Sequence, residues 1–396
     1  MSTQNPIFIP GPTNIPEELR RAIDFPTIDH RSPVFVEMLK PALDGIKRIL
    51  KTQHGEAIIL PSTGTGAWEA AVTNMLSPGD AILAARHGMF SHRWIDLCGR
   101  HGFDVRVIEE EWGRGAPADQ FEKALKADRA HAIRAILVTH NETATGVRSD
   151  VAAVRRALDA ANHPAMLFVD GVSSIASMDF RMDEWGVDVA ITGSQKGFML
   201  PAGLAILGIS PKAKDAMAAA KCPRGFFDLR DMLRANENGS FPYTPPVQLI
   251  RGLDVSIRML EAEGLGNVFA RHFRIAEGIR QAVAAWGFSL CAKEPRLYSD
   301  TVSAIVTPAG FDSTRIVTHA AAKYGVAFGV GLGDVAGKVF RIGHLGSLTD
   351  VMALCGIATA EMVMVDLGLP VRLGSGVAAA QEHYRTSFGA AQMKAA

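Results

Sequence analysis

The sequence predicts an α/β protein with a mainly parallel seven-stranded sheet between helices in a large domain, followed by a small C-terminal α/β domain. Three observations lead there. Short apolar runs recur at regular intervals through the first 210 positions; alanine-rich segments with helical spacing lie between them; and a second, shorter alternation begins after position 300. Apolar runs bounded by turn residues read as buried strands. Their alternation with helices is the pattern of a parallel sheet covered on both faces.

Taken in order, strands are expected at AIIL (57–60), AILAA (81–85), DVRVIE (104–109), AILVTH (135–140), AMLFVD (165–170), DVAITGS (188–194) and LAILGIS (204–210). Helices are expected at 66–76, 91–101, 117–127 and 150–161. The last two strands follow each other too closely for a helical crossover, which points to an antiparallel return. Beyond 211 the pattern turns helical, broken by NENGSFPYTPPV (236–247), whose Asn, Gly and Pro content predicts an exposed loop. A long helical stretch from about 248 to 284 is interrupted near Gly264 and Gly266. Strands TVSAIV (301–306), VAFGVG (326–331) and VFRIGH (339–344) and a helix over 349–364 make up the small domain. The Gly- and Ala-rich end predicts a loosely held tail. The expected division is an arm over 1–20, a large domain over 21–260, a small domain over 261–375 and the tail over 376–396.

With 41 basic and 41 acidic side chains the formal charge is zero, so neither nucleic acid nor an anionic membrane is an expected partner. A hydrophobic content of 48% against 21% charged decides for a well-buried globular protein over a disordered one. Cys98, Cys222, Cys291 and Cys355 lie far apart, without the spacing of a zinc site or a disulfide framework, so no metal is expected and a cytoplasmic location fits. The start MSTQNPIFIPGPTN lacks the regions of an export signal, and no run of about 18 apolar residues predicts a membrane span.

In open α/β sheets ligands bind beyond the carboxyl ends of the strands, so the chemistry is sought in the residues that follow them. After AIIL comes PSTGTGAWEA (61–70), where Ser62, Thr63, Gly64, Thr65 and Gly66 run into a helix. Small residues there free backbone N–H groups for a phosphate, although the same residues also cap helices for structural reasons alone. Asp170 ends an apolar strand and needs a cation or hydrogen-bond donor, or else caps a turn. Lys196, in SQKGFMLPAG, stands among apolar and glycine neighbours, where desolvation lowers an amine's pKa and suits it to Schiff-base formation. Arg341, in VFRIGH, offers a fork for a carboxylate or a structural ion pair. A phosphate cradle, an acid, a lysine and an arginine are together what pyridoxal phosphate requires.

The chain resembles the class V aminotransferases of fold type I, in the serine/aspartate/alanine:glyoxylate branch. The resemblance runs through PGPTNIP (10–16), STGTGAWEA, HGMFSHRW (87–94), THNETATG (139–146), VDGVSS (169–174), GSQKGF (193–198), SFPYTPP (240–246) and FRIGHLG (340–346). It implies that Lys196 holds pyridoxal phosphate and shuttles the proton, and that Asp170 pairs with the ring nitrogen. Thr65, Gly66 and Gln195 would bind the phosphate, Phe90 would stack on the ring where a relative carries Trp, and Thr143 or Thr145 would bind the phenolic oxygen. Tyr243 and Thr244 would reach a neighbouring subunit's phosphate site, which implies a homodimer with shared sites. Arg341 would clamp the substrate α-carboxylate, and the PGPTN segment would cross the cleft with Asn14 near the substrate.

The implied reaction is a ping-pong transamination of glyoxylate to glycine with L-aspartate or L-serine as donor. Alanine as donor and cysteine desulfuration are the alternatives within the cofactor class. Desulfuration needs a cysteine on an active-site loop, and none is evident. A nicotinamide-dependent oxidoreductase would need a glycine fingerprint that the STGTGA loop lacks. Serine as donor calls for a hydrogen bond at its hydroxyl, and aspartate for a second cation. His30, Arg31, His92 and Arg93 are candidates for that contact, each with a structural reading beside it.

Overall fold

The computed structural model describes residues 6–392. Seven strands form the large sheet, numbered β1 to β7 in chain order: Glu56–Ser62, Ala81–Arg86, Asp104–Glu109, Ile133–Thr139, Met166–Asp170, Val189–Gly193 and Gly203–Ile209. Their order across the sheet is β1-β7-β6-β5-β4-β2-β3. Neighbours run parallel except at β7, which is antiparallel to both β6 and β1. Two antiparallel steps return β1 to the direction of β2 to β6, so six carboxyl ends lie on one edge of the sheet. The central strands β5 and β6 are buried at every position, as helices on both faces require. The helices Gly64–Met75, Met89–Arg100, Ala118–Ala127 and Val151–Ala160 fall within a few residues of the predicted ones.

The second sheet has five strands, in the order Ile7–Phe8, Ala327–Val330, Val339–Gly343, Val302–Val306 and Ser289–Leu290. Two of them, Ile7–Phe8 and Ser289–Leu290, are too short to show a period in the sequence. Phe8 is fully buried in a separate core with Ile342, Phe340 and Ile357. The predicted interruption of the long helical stretch is Gly264 at φ +83°, which ends the helix Val247–Glu263 and opens Leu265–Ala285.

Two expectations are corrected. The loop over 236–247 is not wholly exposed: Phe241 and Pro245 are buried while Pro242 and Thr244 face solvent, so alternate residues anchor it. The tail expected from 376 is a docked helix, Ser375–Gln392, and only 393–396 fall outside the described residues. Glu361 holds its start, accepting from Gly374 N at 2.7 Å, Gly376 N at 2.5 Å and the Trp286 indole at 2.9 Å. Tyr384 packs where a Cβ on Gly278 would collide with its ring, and its hydroxyl donates to Ile275 O at 2.9 Å. Alanine-rich composition hid these contacts because a few large side chains carry them. Tyr384→Ala is expected to cost about 3 kcal/mol locally, read as faster amide hydrogen exchange over 375–387. Unchanged exchange would show that this contact does not hold the helix.

Candidate active site

The aligned carboxyl ends open onto a cavity of about 290 Å3 lined by Thr65, Phe90, Thr143, Asp170, Gln195 and Lys196. They arrive from the carboxyl ends of five strands of the large sheet, Gln195 and Lys196 sharing one loop. Asp170 is the last residue of β5, Lys196 lies three positions beyond β6, Thr65 is in the first turn after β1, and Phe90 is in the first turn after β2. Trp68, Arg93 and Ser173 complete much of the wall. None of the four cysteines lines it.

Burial dominates the electrostatics. It pushes the Asp170 carboxyl up to about 7, with the neighbouring Glu142 raising it further and the Val172 amide and Lys196 ammonium opposing. It draws the Lys196 amine down to about 8, helped by the Arg341 charge and opposed by Asp170. The two groups feel each other's charge, yet no ion pair joins them among the described residues. Asp170 accepts from Val172 N at 2.9 Å, and neither group has a counter-ion at ion-pair distance among the described residues.

The walls are fixed closely. Gly11, at φ +97°, lies so near Lys196 that a Cβ there would fall 2.5 Å from its Nζ. The Lys196 amine donates to Pro10 O, and Thr13 N donates to Gln195 O at 3.2 Å. The N-terminal segment thus lies against the lysine loop. Ala176 and Met199, both non-glycine residues at positive φ, flank the lysine loop and mark a backbone held by its surroundings.

The other expected residues divide by position. Thr145 is fully buried, its amide and hydroxyl turned to Glu142 O, whereas Thr143 faces the cavity with its hydroxyl 2.7 Å from that of Ser173. Gly66 lies under the helix turn, where a Cβ would collide with Ser62. Arg341 is 6% exposed, spends Nε on Val330 O at 2.8 Å and Nη1 on Thr143 O at 2.9 Å, and leaves Nη2 without a bond among the described residues. Asn14 is spoken for: its amide accepts from Ile7 N at 3.0 Å and donates to Ile7 O at 2.9 Å, so it braces the arm. Thr244 is exposed, and Tyr243 stacks on Phe226 at 4.5 Å, both away from the cavity within one chain.

The aminotransferase class-V family model matches residues 27–335. The chain belongs to the class V aminotransferases. An L-aspartate–glyoxylate aminotransferase of Paracoccus denitrificans is 69% identical over 396 residues, covering all of both chains. A serine–glyoxylate aminotransferase of Hyphomicrobium methylovorum is 54% identical over 96% of this chain and 94% of its own. The solved pyridoxamine–pyruvate aminotransferase of Mesorhizobium loti superposes with a TM-score of 0.89 at 28% identity, covering 96% of this chain and 97% of that one.

A class V aminotransferase works with pyridoxal phosphate, and the cavity fits it. The helix Gly64–Met75 opens without a side-chain cap, which leaves first-turn N–H groups for a phosphate. Gln195 lines the same cavity, and the amide nitrogen of its side chain can donate to a phosphate, while the Trp68 indole stands as a donor beside Asp170. Asp170 awaits a cation. First-turn N–H groups and an amide donor suit a phosphate, and the Asp170 carboxylate suits a protonated ring nitrogen.

Sequence reasoning missed Glu142, although THNETATG contains it. Its fully buried carboxylate accepts from Phe90 N, Ser91 N at 3.0 Å and Ala144 N at 3.1 Å, and so fixes the helix turn that carries Phe90. Burial raises its pKa while those amides lower it. Polar neighbours gave no burial contrast by which to notice it.

A linkage test follows for the aminotransferase freed of cofactor. The folded pKa of Asp170, about 7, stands above its ordinary 3.8, so the stability it contributes is present below about 3.8 and is lost as pH rises to about 7. Asp170→Asn removes that charge, and its cofactor-free form is expected to melt above wild type at pH 8, with the gap narrowing towards pH 5. A variant that melts lower at pH 8 would contradict a buried carboxylate without a counter-ion.

Proposed function

We propose that the protein transfers the amino group of L-aspartate or L-serine to glyoxylate, forming glycine and the 2-oxo acid of the donor. The observation that carries the reading is the single cavity uniting Lys196, Asp170 and an uncapped helix turn, in a chain similar over its full length to relatives named for these reactions. Bound there, pyridoxal phosphate supplies an electron sink that lets an amino group pass between an amino acid and a 2-oxo acid.

The chain's residues do the rest. Lys196, whose amine burial draws below its ordinary range, would hold the cofactor's aldehyde and would carry the proton at the substrate Cα. Asp170 would keep the ring nitrogen protonated by supplying its counter-charge. Thr65, the Gly66 amide and Gln195 would hold the phosphate, Phe90 would stack on the ring, and Thr143 would bind the phenolic oxygen. Thr145 holds the turn that places Thr143. Arg341 presents Nη2 to the α-carboxylate, and Pro10 to Pro12 cover the lysine from water. Asn14 acts on the substrate through this arm.

The working unit is a cytoplasmic homodimer in which Tyr243 and Thr244 reach the phosphate end of a partner's cavity. Support comes from the exposure of Thr65 and Thr244 and from Phe226, an apolar ring 52% exposed beside Tyr243. Steady-state assays with aspartate, serine and alanine against glyoxylate test the function. Aspartate or serine is expected to outpace alanine, and Lys196→Ala to lower kcat by at least about 100-fold. Wild-type turnover by Lys196→Ala would contradict the assignment.

A further inference from the structure

Arg93 on the cavity wall and Arg341 behind Thr143 carry guanidinium groups with no carboxylate at ion-pair distance among the described residues. Arg341 has a task at the α-carboxylate; Arg93 has none so far. It lines the cavity and is exposed, three residues after Phe90, so the two side chains leave the Met89–Arg100 helix on one face. No carboxylate lies within ion-pair distance of it among the described residues, and its recorded contact is the Phe90 ring, 5.9 Å from guanidinium carbon to ring centroid. Arg100 on the same helix is paired with Asp96 at 2.7 Å. Glu142, the nearest acid to the start of this helix, is already spent on backbone amides.

We propose that Arg93 receives the second carboxylate of the amino donor, which makes the site selective for aspartate over serine. The inference rests on the transamination reading above. A guanidinium laid on an aromatic face keeps the N–H groups along its edge free, and that edge matches a carboxylate in two parallel hydrogen bonds. An aspartate donor carries its second carboxylate only two carbons from the first, and Thr143, whose carbonyl Arg341 bonds, lines the same cavity as Arg93. Serine offers a neutral hydroxyl in that place, so it gains far less from a cation. Because the protein's net charge is zero, no long-range field draws in a dianion and the preference has to be local. His30, Arg31 and His92, the other cations considered for this contact, do not line the cavity.

The test uses the protein loaded with pyridoxal phosphate. Kinetics with aspartate and with serine are compared for wild type, Arg93→Gln and Arg93→Lys, and calorimetry measures binding of succinate and of butyrate as unreactive probes. In Arg93→Gln, kcat/KM for aspartate is expected to fall roughly 10- to 100-fold, the loss of one charge-assisted carboxylate contact, while serine stays within about 2-fold. Arg93→Lys should restore part of the aspartate rate, and the wild-type preference for succinate should vanish in Arg93→Gln. Equal losses for both donors, or an unchanged donor ratio, would overturn the assignment. If wild type aminates glyoxylate from neither donor yet prefers succinate through Arg93, the transamination reading fails and the Arg93 assignment stands.

Discussion

Asp170 and Lys196 are buried in one cavity, and burial drives each towards its neutral form. The carboxyl rises to about 7 and the amine falls to about 8. An isolated charge in such a place is costly, and two opposite charges usually relieve the cost by pairing. Here they do not pair. The fold holds them apart, with the carboxylate at the end of the innermost strand and the amine on the next loop, so that a ligand supplying a cation to one and a carbonyl to the other completes the site. Much of the surrounding structure serves that separation: the direction of six strands, the uncapped helix turn, and Glu142 clasping the turn that bears Phe90.

The N-terminal arm ties this centre to the second sheet. Ile7 and Phe8 join that sheet beside Ala327 and Phe328, and Phe8 is buried in its core. A few residues later Pro10 accepts from the Lys196 amine and Thr13 bonds the backbone of Gln195. Asn14 closes the path by binding both polar groups of the Ile7 backbone. A shift of the second sheet would therefore pull on the carbonyl nearest the lysine. Arg341 makes a second link, since it belongs to that sheet and bonds Thr143 O of the cavity wall.

The large sheet was legible because strand and helix alternate with strong apolar contrast. The antiparallel β7 was legible because too few residues separate it from β6. Asp170 and Lys196 stood out as polar groups at the ends of apolar runs, and burial is what gives both their chemistry. Position-dependent features were less accessible. Thr143 and Thr145 are the same residue type two apart, and only the turn around Glu142 O sends one to the cavity and the other inward. Asn14 reads as a free polar group until its two bonds to Ile7 are seen. The terminal helix was hidden because its anchoring rests on Glu361, Trp286 and Tyr384, which are distant in the chain.

Loading the protein with pyridoxal phosphate, reducing it with borohydride and mapping the modified peptide by mass tests directly whether the buried Lys196 amine takes the cofactor's carbonyl. One increment per chain is expected, on the peptide containing Lys196, with its loss in Lys196→Ala. An increment on any other lysine, or no stable adduct at all, would contradict that chemistry.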